Sequence, residues 1–199
     1  TNNSNNSIKK LEKNIEKKLK ISSLYNKEKL LFPVFLDNVI VLYKNGDKAI
    51  IKQENNRAIY IFKGAKDLKE GFSYNIQVNQ IYDFYGLKEI KDFNILKENS
   101  SFKNYKDLFL DGSKIDIFDF KYENEVITNL KGFITKGNLQ INGGKTIKLF
   151  AKDKNILPKD GSTIEILNAQ LGSYRGNMQI IFHTKDDYKE LKWAKKVDC

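Results

Sequence analysis

The 199-residue sequence has little of several residue types on which common sites depend. It contains one cysteine, the last residue Cys199, so it predicts neither a disulfide framework nor a thiolate metal site. A single histidine, His183, excludes paired-histidine metal sites. Two prolines and a hydrophobic share of 40% argue against a disordered tail, and no apolar run is long enough for a transmembrane helix.

The remaining residues predict no catalytic site. Gly143-Gly144-Lys145-Thr146 resembles the end of a phosphate-binding loop, but Leu139 stands where that motif needs its first glycine, and a predicted strand follows. We interpret this segment as a hairpin turn. Asp116 and Asp119 lie on opposite faces of a predicted strand, and we interpret His183 as an ordinary surface or edge histidine. We therefore expect a binding protein, not an enzyme, without cofactor or metal.

Positive charge is concentrated near the beginning of the chain. The formal charge is +10, and residues 1–31 supply half of it, with eight Lys against three Glu. This distribution gives a moderate argument for a polyanionic partner. The chain starts at Thr1 with a polar run over residues 1–7. We expect that run to be a tether left by signal-peptide removal, as in bacterial lipoproteins, or the end of a trimmed chain.

An amphipathic pattern predicts a helix over residues 7–20. Ile8, Leu11, Ile15 and Leu19 recur at helical spacing among Lys and Glu. Such a helix either packs on the following domain with its charges solvated or acts as a basic arm for anionic surfaces.

From residue 38 onward the sequence predicts short strands separated by Gly, Asn and Asp. Turns are expected at Asn45-Gly46-Asp47 and at Asn55-Asn56. Alternation of Tyr74, Ile76 and Val78 with polar residues indicates a sheet with one buried face. The five predicted strands are Val39–Tyr43, Lys48–Lys52, Ala58–Phe62, Ser73–Ile81 and Gly86–Ile95.

The same pattern then recurs about 90 residues later. Gly71 matches Gly161, Phe84 matches Tyr174 and Gly86 matches Gly176. We therefore predict a mainly β protein in which one five-stranded barrel plan occurs twice. The predicted segments are 1–35 (polar tether and basic helix), 36–97 (first barrel), 98–124 (linker, with a strand at residues 115–120), 125–190 (second barrel) and 191–199 (tail).

The segments Gly71-Phe72-Ser73-Tyr74-Asn75-Ile76 and Phe84-Tyr85-Gly86-Leu87 resemble a known family. They are similar to the small oligonucleotide/oligosaccharide-binding (OB) domains that accompany secreted bacterial nucleases of the endonuclease/exonuclease/phosphatase type, and to OB domains of bacterial lipoproteins. The resemblance implies two tandem OB-type barrels behind an N-terminal α-helix. In an OB barrel, ligands lie across strands 2 and 3 and contact the loops between strands 1–2 and 4–5.

We expect ligand contacts from cations and aromatic rings on those strands and loops. The predicted contacts are Lys44, Lys48, Lys52, Arg57, Tyr60, Phe84, Tyr85 and Lys88 in the first barrel, and Lys136, Lys145, Lys148, Tyr174 and Arg175 in the second. Lysines suit phosphates and flat rings suit bases, so single-stranded nucleic acid or another polyanion is the first interpretation. The alternative is an extracytoplasmic, cell-envelope module that binds a protein or glycan. A cytoplasmic location also stays open.

Overall fold

The computed structural model of the protein describes residues 2–15 and 19–192. The chain divides into two compact units, Thr1–Phe84 with Lys88–Leu108, and Tyr85–Leu87 with Phe109–Cys199. In the described ranges, no helix has the length and apolarity needed to cross a bilayer. Cys199 and most of the predicted tail lie outside the described residues.

One short α-helix, α1, spans Asn2–Ile15. It begins five residues earlier than the sequence predicts, so the polar run expected as a tether lies largely inside it. The side chains of Asn3–Lys9 are exposed, whereas those of Leu11 and Ile15 and residues 16–18 fall outside the described part. A 3-10 helix, Ile21–Asn26, follows and does pack, because Ile21 and Leu24 are fully buried.

The first unit contains a closed five-stranded barrel with neighbours in the order β1-β2-β3-β5-β4. Its strands are β1 (Val34–Asn45), β2 (Lys48–Lys52), β3 (Ala58–Ile61), β4 (Phe72–Phe84) and β5 (Leu87–Ser101). β3 and β5 pair in parallel, with Tyr60 opposite Glu89, whereas β1 pairs with β2 and β4, and β2 with β3, in antiparallel fashion. This strand order is that of an OB barrel, as the sequence predicts, and the barrel extends past residues 36–97 at both ends.

Alternating apolar residues fill this barrel. Tyr74, Ile76 and Val78 are at most 1% exposed, whereas the polar residues between them are half-buried. The predicted period of two is therefore confirmed over residues 74–79 of β4. Gly46 closes the β1–β2 hairpin with a φ of 63°, and Asn55 turns the chain between β2 and β3 with a φ of 56°. Both predicted turns are confirmed.

The second unit is built on a nine-stranded mixed sheet, in the order β14-β11-β8-β9-β10-β13-β12-β7-β6. Its strands are β6 (Leu110–Asp111), β7 (Val126–Thr128), β8 (Leu130–Thr135), β9 (Asn138–Gln140), β10 (Thr146–Phe150), β11 (Thr163–Ile166), β12 (Ala169–Tyr174), β13 (Asn177–Ile181) and β14 (Tyr188–Glu190). β10 and β13 pair in parallel. The turn at Gly143-Gly144-Lys145 leads into strand β10, as predicted.

The strand predicted at residues 115–120 is wrong. These residues form turns and lead into a 3-10 helix, Phe120–Tyr122. Asp116 Oδ1 accepts a hydrogen bond from the Phe118 backbone N–H at 3.0 Å, and Asp119 Oδ1 accepts one from Lys121 N–H at 2.9 Å. Each aspartate holds the backbone in a local turn, and this competes with strand pairing.

Candidate nucleic-acid interface

Several of the cations and rings predicted as ligand contacts in the first unit are buried. Lys52 is 7% exposed, Tyr60 8% and Lys88 6%. Ile40 and Ile50, which alternate with core positions of β1 and β2, are at most 2% exposed. These strands are therefore buried on both faces, and strands β2 and β3 do not present an open basic groove.

Three more of the predicted cations contact the protein itself. The Arg57 guanidinium lies 3.4 Å from the centre of the Tyr25 ring. Lys44 Nζ donates to the backbone oxygen of Lys66 at 2.7 Å. Lys48 Nζ donates to the backbone oxygen of Phe62 at 3.2 Å and lies 3.5 Å from Asp47 Oδ1.

Two of the predicted rings, Phe84 and Tyr85, are exposed, and two further rings lie beside Phe84. The Phe62 and Tyr82 ring centres are 6.4 Å apart, and those of Tyr82 and Phe84 are 6.5 Å apart. Tyr82 is 44% exposed, Phe84 is 42% exposed and Phe62 is half-buried. We call Phe62, Tyr82 and Phe84 the aromatic strip. It runs from the end of β3 to β4, with β5 between them in the sheet.

Lysines lie beside the aromatic strip. Lys63 Nζ lies 5.7 Å from the Phe62 ring centre, and Lys91 Nζ lies 5.8 Å from that of Tyr82. Both lysines are exposed. An exposed apolar surface rimmed by cations is the combination that single-stranded nucleic acid needs, because bases stack on rings while phosphates meet lysines.

The sequence did not predict Phe62, Lys63, Tyr82 or Lys91 as contacts. Continuing the period of two from Tyr74, Ile76 and Val78 places Tyr82 inside the barrel. In the structure the phase of burial changes between Val78 and Ile81, which is 8% exposed, so the next even-numbered residues face solvent. Such a change of phase is typical of an irregular strand, and a two-residue repeat does not predict it.

Strand β5, which lies between β3 and β4, carries a buried carboxylate, Glu89, which is 6% exposed. Burial raises the pKa of Glu89 from 4.5 to about 7, with Lys48 acting against the rise and Asp83 adding to it. Burial also raises the pKa of Tyr60, opposite Glu89 on β3. A carboxylate with this pKa is partly neutral at pH 7, so it repels a nearby phosphate less than an ionised one would.

Other carboxylates near the strip are engaged with neighbours in the protein. Asp83 Oδ2 lies 3.8 Å from Lys88 Nζ, and Asp92 Oδ2 accepts a hydrogen bond from Asn79 Nδ2 at 2.9 Å. The Lys88 charge offsets part of the negative charge of Asp83, whereas the neutral Asn79 amide only holds the Asp92 carboxylate in place.

The residues predicted in the second unit are more exposed. Lys136, Lys145 and Lys148 are exposed on the turns and strand around β9 and β10. The Arg175 guanidinium lies 5.1 Å from the Tyr85 ring centre and 5.3 Å from that of Tyr174. The two rings are 5.2 Å apart. This arrangement joins a cation to two rings but leaves Lys136, Lys145 and Lys148 outside it.

His183 belongs to a polar network. Its Nε2 lies 2.7 Å from Gln170 Oε1, and Gln170 Nε2 donates to Asn124 Oδ1 at 2.9 Å. The His183 backbone N–H donates to Asp187 Oδ2 at 2.7 Å. Gln170, Asn124 and Asp187 are at most 1% exposed. Within the described residues, no group of three or more His, Cys, Asp or Glu is placed to hold a metal ion.

No family model and no curated protein sequence matches the chain. Among solved structures it is similar to a murine DNA-binding protein bound to double-stranded DNA, with 12% identity, 82% of this chain and 97% of that chain covered, and a TM-score of 0.42. It is also similar to the p204 HINb domain, with 12% identity, 83% of this chain and 100% of that chain covered, and a TM-score of 0.41. A third similar structure is fission yeast Pot1 with single-stranded DNA, with 10% identity, 87% of this chain and 88% of that chain covered, and a TM-score of 0.34.

None of these three structures is named as a secreted nuclease or a lipoprotein, so that part of the resemblance stays a prediction. TM-scores of 0.34 to 0.42 reflect partial superposition. The OB arrangement is therefore assigned from the strand order of the first unit itself.

Proposed function

We propose that the protein binds single-stranded nucleic acid, without catalysis, on the aromatic strip of the first unit. The observation that carries this proposal is the row of three rings at spacings of 6.4 and 6.5 Å with exposed lysines against two of them. Ring faces tolerate any base, and lysines contribute charge without reading sequence. The proposed binding is therefore weakly sequence-selective.

Each ring of the aromatic strip is expected to contribute to affinity by stacking on one base. A base stacked on an aromatic side chain contributes about 1–3 kcal/mol, so losing one ring weakens binding by about 5- to 150-fold. Tyr82 lies between the other two rings, and its removal interrupts the strip. Tyr82→Ala is therefore expected to have the largest effect of the three ring substitutions.

Fluorescence anisotropy with a labelled twelve-nucleotide thymidine oligomer tests the proposal. We expect binding at low salt and about tenfold weaker binding for Tyr82→Ala. Phe120→Ala is the matched control, because Phe120 is 49% exposed and lies in the second unit. Equal losses from both variants, or no binding by the unaltered protein, would contradict the proposal.

An uncharged oligosaccharide of similar length is the second ligand to compare. Rings stack on sugars as well as on bases, whereas Lys63 and Lys91 favour only the charged ligand. We expect the oligosaccharide to compete poorly, and competition equal to that of the oligonucleotide would assign the strip to glycans.

We also propose that the sheet of the second unit is a second OB-type barrel. The run β8-β9-β10-β13-β12 repeats the strand order of the first barrel, with the parallel pair at the same place. β7 directly precedes β8 at one end of that run, and β11 directly precedes β12 at the other end. β8 pairs with β11 and β7 pairs with β12, so hydrogen bonds join the two ends of the run. Together these pairings support a closed ring of strands.

Repeated backbone conformations support the same proposal. The N–H of Gly71 donates to Val41 O at 2.8 Å, and that of Gly161 donates to Ile134 O at 2.8 Å. Gly71 and Gly161 have φ values of 82° and 88°. Two further pairs of matching positions also have positive φ. These are Asn38 and Asn129, at 52° and 56°, and Tyr85 and Arg175, both at 50°.

Amide hydrogen exchange tests the closure of the second barrel. A closed ring predicts that the bonded amides of β7 and β12 exchange as slowly as those of β9 and β10. Fast exchange confined to β7 and β12 would indicate an open sheet whose edge lies there.

A further inference from the structure

A second exposed apolar surface lies between the 3-10 helix Ile21–Asn26 and β1. Leu31 is 78% exposed and Phe32 is 53% exposed, and the exposed Pro33 follows them. We call this the Leu31–Phe32 tip. Consecutive large apolar side chains left in water mark an interaction surface, because their exposure has a cost that binding removes.

Lysines and a cleft adjoin the tip. Lys27 and Lys29 are exposed and, with Leu19 and Leu30, line a cleft of about 330 Å³ that Leu31 and Phe32 also line. Glu28 lies between the two lysines in the sequence, so residues 27–29 carry a net charge of +1. The surface therefore combines an apolar projection with a positively charged border.

Helix α1 repeats this combination. Ile8 is 53% exposed, and Lys9 beside it is exposed. Exposed apolar side chains among lysines are typical of elements that lie at the surface of an anionic membrane, where the apolar groups enter the acyl boundary and the lysines meet lipid headgroups.

We infer that the Leu31–Phe32 tip docks the protein on an anionic lipid bilayer. The tip projects aliphatic as well as aromatic side chains, and a nucleic acid has no apolar interior to receive Leu31. The segment from Lys27 to Pro33 contains no strand, so the tip offers no strand edge to which an extended peptide can pair. A bilayer supplies both an apolar interior and a negative surface.

Vesicle cosedimentation with the full chain tests this inference. The probes are phosphatidylcholine vesicles and vesicles with 30% phosphatidylserine at low salt. We expect binding to the anionic vesicles, at least tenfold weaker binding to the neutral ones, and at least a tenfold loss for the double variant Leu31→Ser with Phe32→Ser. The matched control is Ile95→Ser with Leu96→Ser, a neighbouring pair on β5 that is 37% and 51% exposed.

Charge reversal gives the second comparison. Lys27→Glu with Lys29→Glu is expected to weaken binding to anionic vesicles at least tenfold, whereas Lys152→Glu with Lys154→Glu, an exposed pair with the same spacing, leaves it unchanged. No binding to anionic vesicles, or equal losses from the tip and β5 pairs, would overturn the inference. Loss of oligonucleotide binding alone from the tip variant would assign the tip to nucleic acid. Tyr82→Ala keeps vesicle binding, which separates this surface from the aromatic strip.

Discussion

Glu89 couples the stability of the first barrel to pH. Its folded-state pKa of about 7 lies above its ordinary value of 4.5, because burial disfavours the charged form. The stability that the neutral carboxyl contributes is complete below about pH 4.5 and is lost as the pH rises through about 7.

Glu89→Gln is therefore expected to stabilise the protein at pH 8 and to have little effect at pH 4. The expected gain is about 1–2 kcal/mol, less than the full pKa difference implies, since solvent screening reduces the penalty. Urea unfolding at both pH values measures it, with the exposed Glu54 changed to Gln as the control. A gain that is equal at both pH values would contradict this account of Glu89.

Alanine substitutions at Gly71 and Gly161 distinguish the cost of backbone strain from the cost of side-chain crowding. Both have positive φ, so alanine at either position costs about 1–2 kcal/mol in backbone strain. A Cβ on Gly71 would also lie 3.0 Å from Tyr105 Cδ1, whereas a Cβ on Gly161 meets nothing within 4 Å. The Tyr105 hydroxyl donates to Glu70 Oε1 at 2.7 Å, which holds that ring in place.

We expect Gly71→Ala to cost about 1 kcal/mol more than Gly161→Ala. Urea unfolding curves of the two variants, followed by circular dichroism, give the comparison. Equal costs would show that Tyr105 moves freely away from the new methyl group.

At the scale of elements, sequence periodicity predicted the strands of the first barrel well. β2 has the predicted bounds, and β1 and β4 extend past theirs at both ends. β3 ends one residue earlier than predicted, and β5 begins one residue later and ends six residues later. Periodicity failed where local hydrogen bonds decide the backbone, as at Asp116 and Asp119. It also failed for the aromatic strip, since the phase of burial changes within β4.

Burial explains the rest of the difference at the candidate site. Lys52, Tyr60 and Lys88 stand where an OB ligand face was expected, and each is at most 8% exposed. Alternation along one strand assigns a side chain to a face, but it does not tell whether that face is covered. Which face is exposed therefore depends on the packing of the whole fold, which one strand's pattern does not contain.

The β8–β9 hairpin depends on Gly132. A Cβ there would lie 2.5 Å from the backbone oxygen of Gln140, so the two strands would have to separate. Gly132→Ala is expected to cost about 3 kcal/mol. Gly137→Ala, in the turn of the same hairpin, is the control. Its Cβ meets nothing within 4 Å, so its only cost is the backbone strain of a φ of 74°. Similar unfolding midpoints for the two variants would contradict this role of Gly132.

For the whole molecule, the net charge of +10 raises the question of which lysines act on a ligand. If Lys63 and Lys91 each neutralise one phosphate, their joint replacement by alanine lowers the salt slope of log affinity by about 1.4. Anisotropy titrations between 20 and about 200 mM salt measure that slope. An unchanged slope would mean that other lysines carry the electrostatic contribution.

Photocrosslinking tests the central claim most directly. A thymidine oligomer that carries a photoreactive base is bound to the full chain, and the complex is irradiated. Mass spectrometry then identifies the peptides of the protein that carry a crosslink. The account predicts crosslinks at Phe62, Tyr82 or Phe84 that an unlabelled oligomer suppresses. Suppressible crosslinks confined to other segments would contradict binding on the aromatic strip.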